Sequence, residues 1–223
     1  MYALVTGGSQ GVGYYMAREL KMRGYELILV ARNEEKLKKA AKKLDAKVFR
    51  ALDLAKEYRA MRELIEEFKP NVVINNAGCG FYGDFASQDE EKIMKMIDLN
   101  ITALTYITKK AMENMDKGYI MNVASIAACR PVPKAAVYAA TKAYVKHLTA
   151  SLIPEAPPGI HLSYLLLSPT ATRFWDKAEW PTHNIKWIML SPEKAAKRAI
   201  RKMFKGKKRI TVGPVSVLYC LGK

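Results

Sequence analysis

The sequence predicts an α/β fold built on a parallel sheet, and three observations carry that reading. An apolar strand, Tyr2 to Thr6, runs into a glycine turn, Gly7-Gly-Ser-Gln-Gly11-Val-Gly13, and then into a helix. A second buried strand follows from Glu26 to Val30, so the opening unit is strand, turn, helix, strand. Such a unit closes as a right-handed crossover between parallel strands. The same alternation of short apolar runs and amphipathic stretches then continues to the end of the chain.

Each element has its own signal. The first helix carries Val12, Met16, Ala17 and Leu20 on one stripe and stops at Gly24. The turn before it has the chemistry of a nucleotide site. Glycines let the backbone approach a pyrophosphate, and a helix N-terminus offers free amides and the positive end of a dipole. Its spacing, Gly7-x-x-x-Gly11-x-Gly13, departs from the common G-x-G-x-x-G fingerprint. Just past the second strand stands Arg32, where an NAD site would have an acid for the ribose 2′-hydroxyl. An acid repels a 2′-phosphate and arginine pairs with one, so NADP(H) is expected over NAD(H). Helix Glu34 to Leu44, strand Lys47 to Arg50 and helix Lys56 to Phe68 come next, with Asp53-Leu54 at the strand's exit. Strand Val72 to Ile74 runs into Asn75-Asn-Ala-Gly78, a turn of small and amide residues at the ligand-facing edge of such a sheet. A long helix is predicted over Asp89 to Met115, with Asn100, a mediocre helix former, in its middle.

The stretch Gly118 to Leu152 holds the residues with the most chemistry. A strand, Tyr119 to Val123, ends beside Ser125, and thirteen residues later a helix carries Tyr138-Ala-Ala-Thr-Lys142. Four residues are a little over one turn, which puts the phenol and the ammonium on one face. A cation within about 4–6 Å favours phenolate and pulls a tyrosine down from its reference pKa of about 10, towards a usable acid and base. Ser125 would hold the oxygen being protonated. The spacing alone is common, because Tyr106/Lys110 and Tyr219/Lys223 repeat it, but only the middle pair follows a strand-end serine and a nucleotide-binding start. Strand His161 to Leu167 then ends in Ser168-Pro169-Thr-Ala-Thr172. The segment Phe174 to Trp187 contains all three tryptophans and reads as an apolar substrate lid over about residues 170–190. Ser191-Pro192 starts a last helix reaching Met203, and Arg209 to Val212 is a final strand.

Composition narrows the class. With 223 residues, half of them hydrophobic, the chain can bury a large core, and one domain over residues 1–223 is expected. The net charge of +16 sits mainly on helix faces, Lys36 to Lys43 and Lys194 to Arg209, where it recurs with acids and alanines. It lacks the interleaved aromatics of a nucleic-acid surface, so nucleic acid is not an expected partner. Cys79, Cys129 and Cys220 share no metal-ligand spacing and are too few for a disulfide framework; a reducing cytoplasm is the expected location. With the first strand at the start of the sequence no leader is expected, and no apolar run reaches the ~20 residues of a membrane helix.

Taken together, Thr6-Gly-Gly-Ser-Gln-Gly-Val-Gly13, Asp53-Leu54, Asn75-Asn-Ala-Gly78, Asn100, Ser125, Tyr138-Ala-Ala-Thr-Lys142 and Pro169 with Thr172 stand in the order and spacing of one family. The chain resembles the short-chain dehydrogenase/reductases over nearly its whole length. The resemblance implies a three-layer, doubly wound Rossmann fold with a seven-stranded, mainly parallel sheet. It implies a pyrophosphate and ribose site at Gly7, Ser9, Gln10, Gly11, Val12 and Gly13, and a 2′-phosphate partner in Arg32. It further implies adenine contacts at Asp53 and Leu54, and a cofactor cleft lined by Asn76, Ala77, Gly78, Pro169 and Thr172. Tyr138 would be the acid/base, Lys142 would lower its pKa and bind the nicotinamide ribose, Ser125 would orient the substrate oxygen, and Asn100 would hold a relay water. A homodimer or homotetramer through the helices at Asp89–Met115 and Ala135–Leu152 is also implied. Two departures stand out: Pro169 is followed by Thr170 where the family has glycine, and the chain is short after its last helix.

The expected activity is NADP(H)-dependent interconversion of a carbonyl and an alcohol on a small, mostly apolar substrate. The alternative is a non-catalytic NADP-binding module whose basic surface engages nucleic acid or an acidic partner.

Overall fold

The structure, a computed structural model, describes residues 1–183, 185–213 and Cys220. The tail for which the sequence suggested a subunit or membrane contact, 213–223, lies outside the described residues except at Gly213 and Cys220.

Seven strands form one sheet: β1 Tyr2–Thr6, β2 Glu26–Ala31, β3 Val48–Ala51, β4 Val72–Asn75, β5 Gly118–Val123, β6 Ile160–Leu167 and β7 Arg209–Val212. Their order is β3-β2-β1-β4-β5-β6-β7, and every neighbouring pair is parallel. The helices are α1 Gly11–Lys21, α2 Glu34–Leu44, α3 Leu54–Glu57, α4 Met61–Phe68, α5 Glu90–Ile97, α6 Leu104–Asn114, α7 Ala136–Leu152, α8 Phe174–Lys177 and α9 Pro192–Phe204. Parallel strands need crossovers, and the crossover helices cover both faces of the sheet.

Alternation along each strand decides which face a residue serves. Ala3 and Val5 of β1 join Leu27 and Leu29 of β2 under α1, α2 and α9, against Met16, Leu20, Leu37, Ala196 and Ile200. Leu4, Ile28 and Val73 point the other way, into α4 and α6 through Leu64, Ile65, Ile107 and Ala111. Val145 of α7 closes that second layer against Leu104 and Leu166. These are sheet residues buried on both faces, which is why the strands read as near-continuous apolar runs. The result is the doubly wound Rossmann architecture.

The structure corrects three sequence expectations. The helix expected over Asp89 to Met115 is α5 and α6 joined by a π-helical stretch, Asp98–Ala103, with Asn100 fully buried inside it. Apolar periodicity carries across such an insertion because the helix axis continues, so it hides the widened turn. The helix expected over Lys56 to Phe68 is likewise divided by a 3₁₀ turn at Tyr58–Ala60. Third, Cys129 and Cys220 form a disulfide across 91 residues. Spacing rules look for frameworks and metal ligands; one long-range bridge leaves no local signal. Among the described residues no helix is long and apolar enough to cross a membrane, and no cluster of side chains could hold a metal ion.

Candidate functional site

The strand order reverses between β1 and β4, and the crevice outside their carboxyl ends is where such sheets bind ligands. Two turns meet there, and Thr6 joins them. Its Oγ1 accepts from the backbone amides of Asn76 and Ala77, both at 3.0 Å, and donates to the Ile74 carbonyl at 3.4 Å. Asn76 Nδ2 donates back to the carbonyls of Thr6 at 3.0 Å and Gly7 at 3.4 Å. The contact is so close that a Cβ on Gly13 would lie 2.4 Å from both Asn76 Nδ2 and the Gly7 carbonyl. A glycine is required at residue 13 by space alone.

The N-terminus of α1 opens onto this crevice. Gln10 makes no side-chain cap, and no acidic residue lies in the first turn. Its free amides and unneutralised dipole therefore suit an anion such as a pyrophosphate. Gly7, Ser9, Gln10, Gly11, Val12 and Gly13 are brought together around it, and the Thr172 side chain lies 3.4 Å from where a Gly11 Cβ would be. At the far end Arg32 Nη1 stands 3.9 Å from Asp53 Oδ2. Asp53 caps α3 by accepting from the Ala55 amide at 3.2 Å. Leu54, in contrast, buries its side chain in the core of the second face, leaving only its backbone for a ligand.

The second half of the site is on α7. Tyr138 and Lys142 share one face, with Lys142 Nζ 5.9 Å from the centre of the Tyr138 ring. Nζ donates to the Val123 carbonyl at 3.0 Å, at the end of β5. Ser125 Oγ accepts from the Ala127 amide at 3.2 Å, and its side chain is near enough to Tyr138 to favour the phenolate. Asn100 reaches the same place from the π stretch: Oδ1 accepts from the Cys79 amide at 3.0 Å. Its Nδ2 donates to the Cys79 carbonyl at 2.8 Å and to Thr141 Oγ1 at 3.0 Å. Gly78 is threaded between them, with Asn100 Oδ1 at 3.1 Å and Lys142 Nζ at 3.3 Å from where its Cβ would be.

A cluster of aromatic rings covers Tyr138. Phe174 lies 5.5 Å and Trp180 5.9 Å from its ring, centre to centre, and Tyr82 packs on Trp180 at 5.2 Å. The segment carrying them is tied down by Lys92–Glu179 at 2.6 Å and by the Tyr82 amide on the Ala178 carbonyl at 2.9 Å. Trp175 Nε1 donates to the Thr170 carbonyl at 2.8 Å, and the Leu190 amide to the Pro169 carbonyl at 2.9 Å. Thr170 itself is buried with its hydroxyl on the Ser168 carbonyl at 2.9 Å.

Burial overturns the expected electrostatics. It pushes Tyr138 up to about 12, a rise the Ser125 side chain only partly offsets, and it pushes Lys142 down to about 8. A lysine that loses its proton near 8 is neutral where the tyrosine titrates, so it supplies no field to draw the phenol down. The expectation that Lys142 lowers the tyrosine's pKa fails in this covered arrangement because both groups have lost their water.

A measurable consequence follows for stability. Above about pH 8 the folded Lys142 is neutral, whereas an unfolded lysine stays charged up to its ordinary 10.5. The unfolded state then binds more protons, so this group makes the fold more stable as pH rises from 8 to 10.5. The interval is worth roughly 3 kcal/mol. Thermal melts of the native chain and of Lys142→Met across that range should diverge, with the rise missing from the variant; parallel curves would contradict the burial account.

Sequence reasoning left out Thr6, Cys79 and Thr141 as site residues; the segment it read as a lid is the one that brings Phe174 and Trp180 onto Tyr138. Thr6 had a signal, a polar residue closing an apolar strand, and Thr141 lies inside the Tyr138–Lys142 spacing.

Comparison with known proteins agrees with this architecture. The family model described as short chain dehydrogenase matches residues 1–181. The inactive hydroxysteroid dehydrogenase-like protein 1 of Homo sapiens is 30% identical over 213 residues, 89% of this chain and 64% of that protein. The chain thus spans under two thirds of that relative's length. A short-chain dehydrogenase from Sphingobium yanoikuyae, solved in complex with NADPH, is 29% identical with a TM-score of 0.86, covering 94% of this chain and 86% of its own. An alcohol dehydrogenase from the archaeon Thermococcus sibiricus, complexed with 5-hydroxy-NADP, is 26% identical with a TM-score of 0.83, covering 96% and 97%. A nucleotide crevice at the sheet's reversal and a tyrosine, lysine and serine gathered beside it thus go with matches in sequence and in structure: the chain belongs to the short-chain dehydrogenase family of oxidoreductases.

Proposed function

We propose that the chain is an NADP(H)-dependent reductase that converts a carbonyl on a small, mostly apolar substrate to an alcohol, or runs the reverse reaction. The observation that carries this reading is the gathering of Tyr138 and Lys142 on one helix face, with Lys142 held to the Val123 carbonyl at the end of the strand that leads to Ser125, beneath the rings of Phe174 and Trp180. In this reading residues 170–190 are a lid on a single domain. When bound, NADPH supplies the hydride. Ser125 orients the substrate oxygen, and Tyr138 Oη gives it a proton as negative charge develops there. Lys142 holds the ribose and restores the tyrosine's proton. With both Asn100 side-chain atoms engaged by Cys79 and Thr141, a relay water at this residue would use the main-chain carbonyl or the remaining lone pair of Oδ1.

Arg32, with no acid at its position to hold a 2′-hydroxyl, supports NADP(H) over NAD(H). Solved relatives carry NADPH, 5-hydroxy-NADP and NADH, so the preference rests on Arg32. A second reading has one specific observation behind it: the human relative is described as inactive. In that reading the chain binds NADP without turning anything over.

The experiment is a fluorescence titration with NADPH and separately with NADH, followed by a screen of aromatic and aliphatic ketones and aldehydes for NADPH consumption. Tight NADPH, weak NADH and turnover of an apolar carbonyl are expected. Equal affinities would overturn the NADP preference, and tight binding without turnover of any carbonyl would favour the non-catalytic reading.

A further inference from the structure

The charge of the chain is divided unevenly between the two faces of the sheet. Residues 36–47 hold six lysines and one acid, and residues 194–209 hold nine lysines and arginines and no acid. Far apart in sequence, both segments lie on the face that α1, α2 and α9 cover. The stretch 54–117, which builds the other face through α4 and α6, has nine cations against eleven acids. The net charge of +16 is therefore largely a property of one side.

On that side the ends of the helices come together. Each helix runs into the next parallel strand, α1 into β2 at Glu26, α2 into β3 at Val48 and α9 into β7 at Arg209. The three C-termini thus lie at the amino edge of the sheet, opposite the crevice. Lys21 Nζ donates to the Asp45 carbonyl at 2.8 Å, which joins the end of α1 to that of α2. The Arg23 guanidinium lies 5.0 Å over the Phe204 ring, which joins it to the end of α9. At this junction Met22 is 64% exposed. The α2 side brings Lys42, Lys43 and Lys47 and the α9 side Lys205 and Lys207, all exposed. None of the five pairs with an acid among the described residues, and Asp45 and Glu26 are both held by Lys21.

A helix C-terminus favours cations in its last turn. That accounts for Arg201 and Lys202 but not for Lys205 and Lys207 beyond the helix, nor for Lys194 at its start. Twelve of the fifteen cations in the two segments are lysines, hydrated point charges, where phosphate and base readout uses the fork of arginine. An exposed methionine among dispersed lysines suits an anionic bilayer: the apolar side chain enters the headgroup layer while the ammonium groups stay in water. We propose that this edge, formed by the ends of α1, α2 and α9, docks the protein on an anionic lipid bilayer. Docked this way, the crevice between β1 and β4 and the cover over Tyr138 face away from the lipid, open to a water-borne cofactor.

Cosedimentation with vesicles tests this, using phosphatidylcholine alone and phosphatidylcholine with phosphatidylglycerol at about three to one, in about 0.1 M and about 0.5 M salt. The native chain should bind only the anionic vesicles, less at the higher salt. Lys42→Gln/Lys43→Gln/Lys205→Gln/Lys207→Gln should lose about a hundredfold in affinity, the scale of four lysines near an anionic surface. The control Lys56→Gln/Arg59→Gln/Arg62→Gln/Lys109→Gln removes the same charge from the other face and should bind as the native chain does. Melting curves of all three proteins should show an intact fold, since every substituted side chain is exposed. Equal losses in the two variants would make binding a matter of net charge and refute the docking edge. Tighter binding of a DNA duplex than of the anionic vesicles at the same salt would assign the edge to nucleic acid and overturn the proposal. Absence of binding to either kind of vesicle would overturn it as well.

Discussion

Tyr138→Phe should bind NADPH as the native chain does and turn over at least about a thousandfold more slowly, the scale of a lost general acid. The substitution is clean for structural reasons. The ring stays to meet Phe174 and Trp180, and Ser125 keeps its hydrogen bond from the Ala127 amide. Only Oη is lost, and with it the proton for the substrate oxygen. The covered site also sets a direction. A phenol pushed up to about 12 is fully protonated at neutral pH, which suits the donor needed for carbonyl reduction. The reverse reaction needs the phenolate, so alcohol oxidation should rise with pH across the range where reduction is flat. Single-turnover rates in both directions, with NADPH affinity measured beside them, check this. A variant that retains a tenth of native turnover would remove Tyr138 from the chemistry.

Much of this was legible in the chain because function here is tied to local pattern. Apolar strands ending in Gly7, Asn75 and Ser125 mark the carboxyl edge of the sheet, and the Tyr138–Lys142 spacing puts both groups on one helix face. What stayed hidden depended on contacts made at long range or on loss of water. The π turn at Asn100 exists because its amide reaches back to Cys79, a partner 21 residues away, and periodicity carries no trace of that. The pKa directions of Tyr138 and Lys142 come from burial, which the motif does not contain.

The least legible feature yields the second large effect. Asn122→Ala should destabilise the fold by about 4 kcal/mol, lowering the melting temperature by about 8–16 °C for a chain of this size. Asn122 lies fully buried in β5, where pattern alone asks for an apolar residue. Its Oδ1 accepts from Asn75 Nδ2 at 2.9 Å and Thr108 Oγ1 at 3.2 Å, and its Nδ2 donates to Thr149 Oγ1 at 3.0 Å. One amide thus ties β4, α6 and α7 to β5. Removing it leaves the Thr108 hydroxyl proton without that acceptor and Thr149 Oγ1 without that donor, with both residues fully buried. Each such group costs about 1–3 kcal/mol. Asn75 tolerates little further loss, because its Oδ1 already lacks a partner. The damage should extend to the site: the next residue, Val123, gives the carbonyl that holds Lys142, and Asn75 begins the turn that ends at Gly78. A weaker NADPH affinity should therefore accompany the lower melting temperature. Asn122→Asp, which keeps the acceptor and loses the donor to Thr149, separates the parts. A loss below about 1 kcal/mol in the alanine variant would mean that the buried amides merely satisfy one another and hold nothing in place.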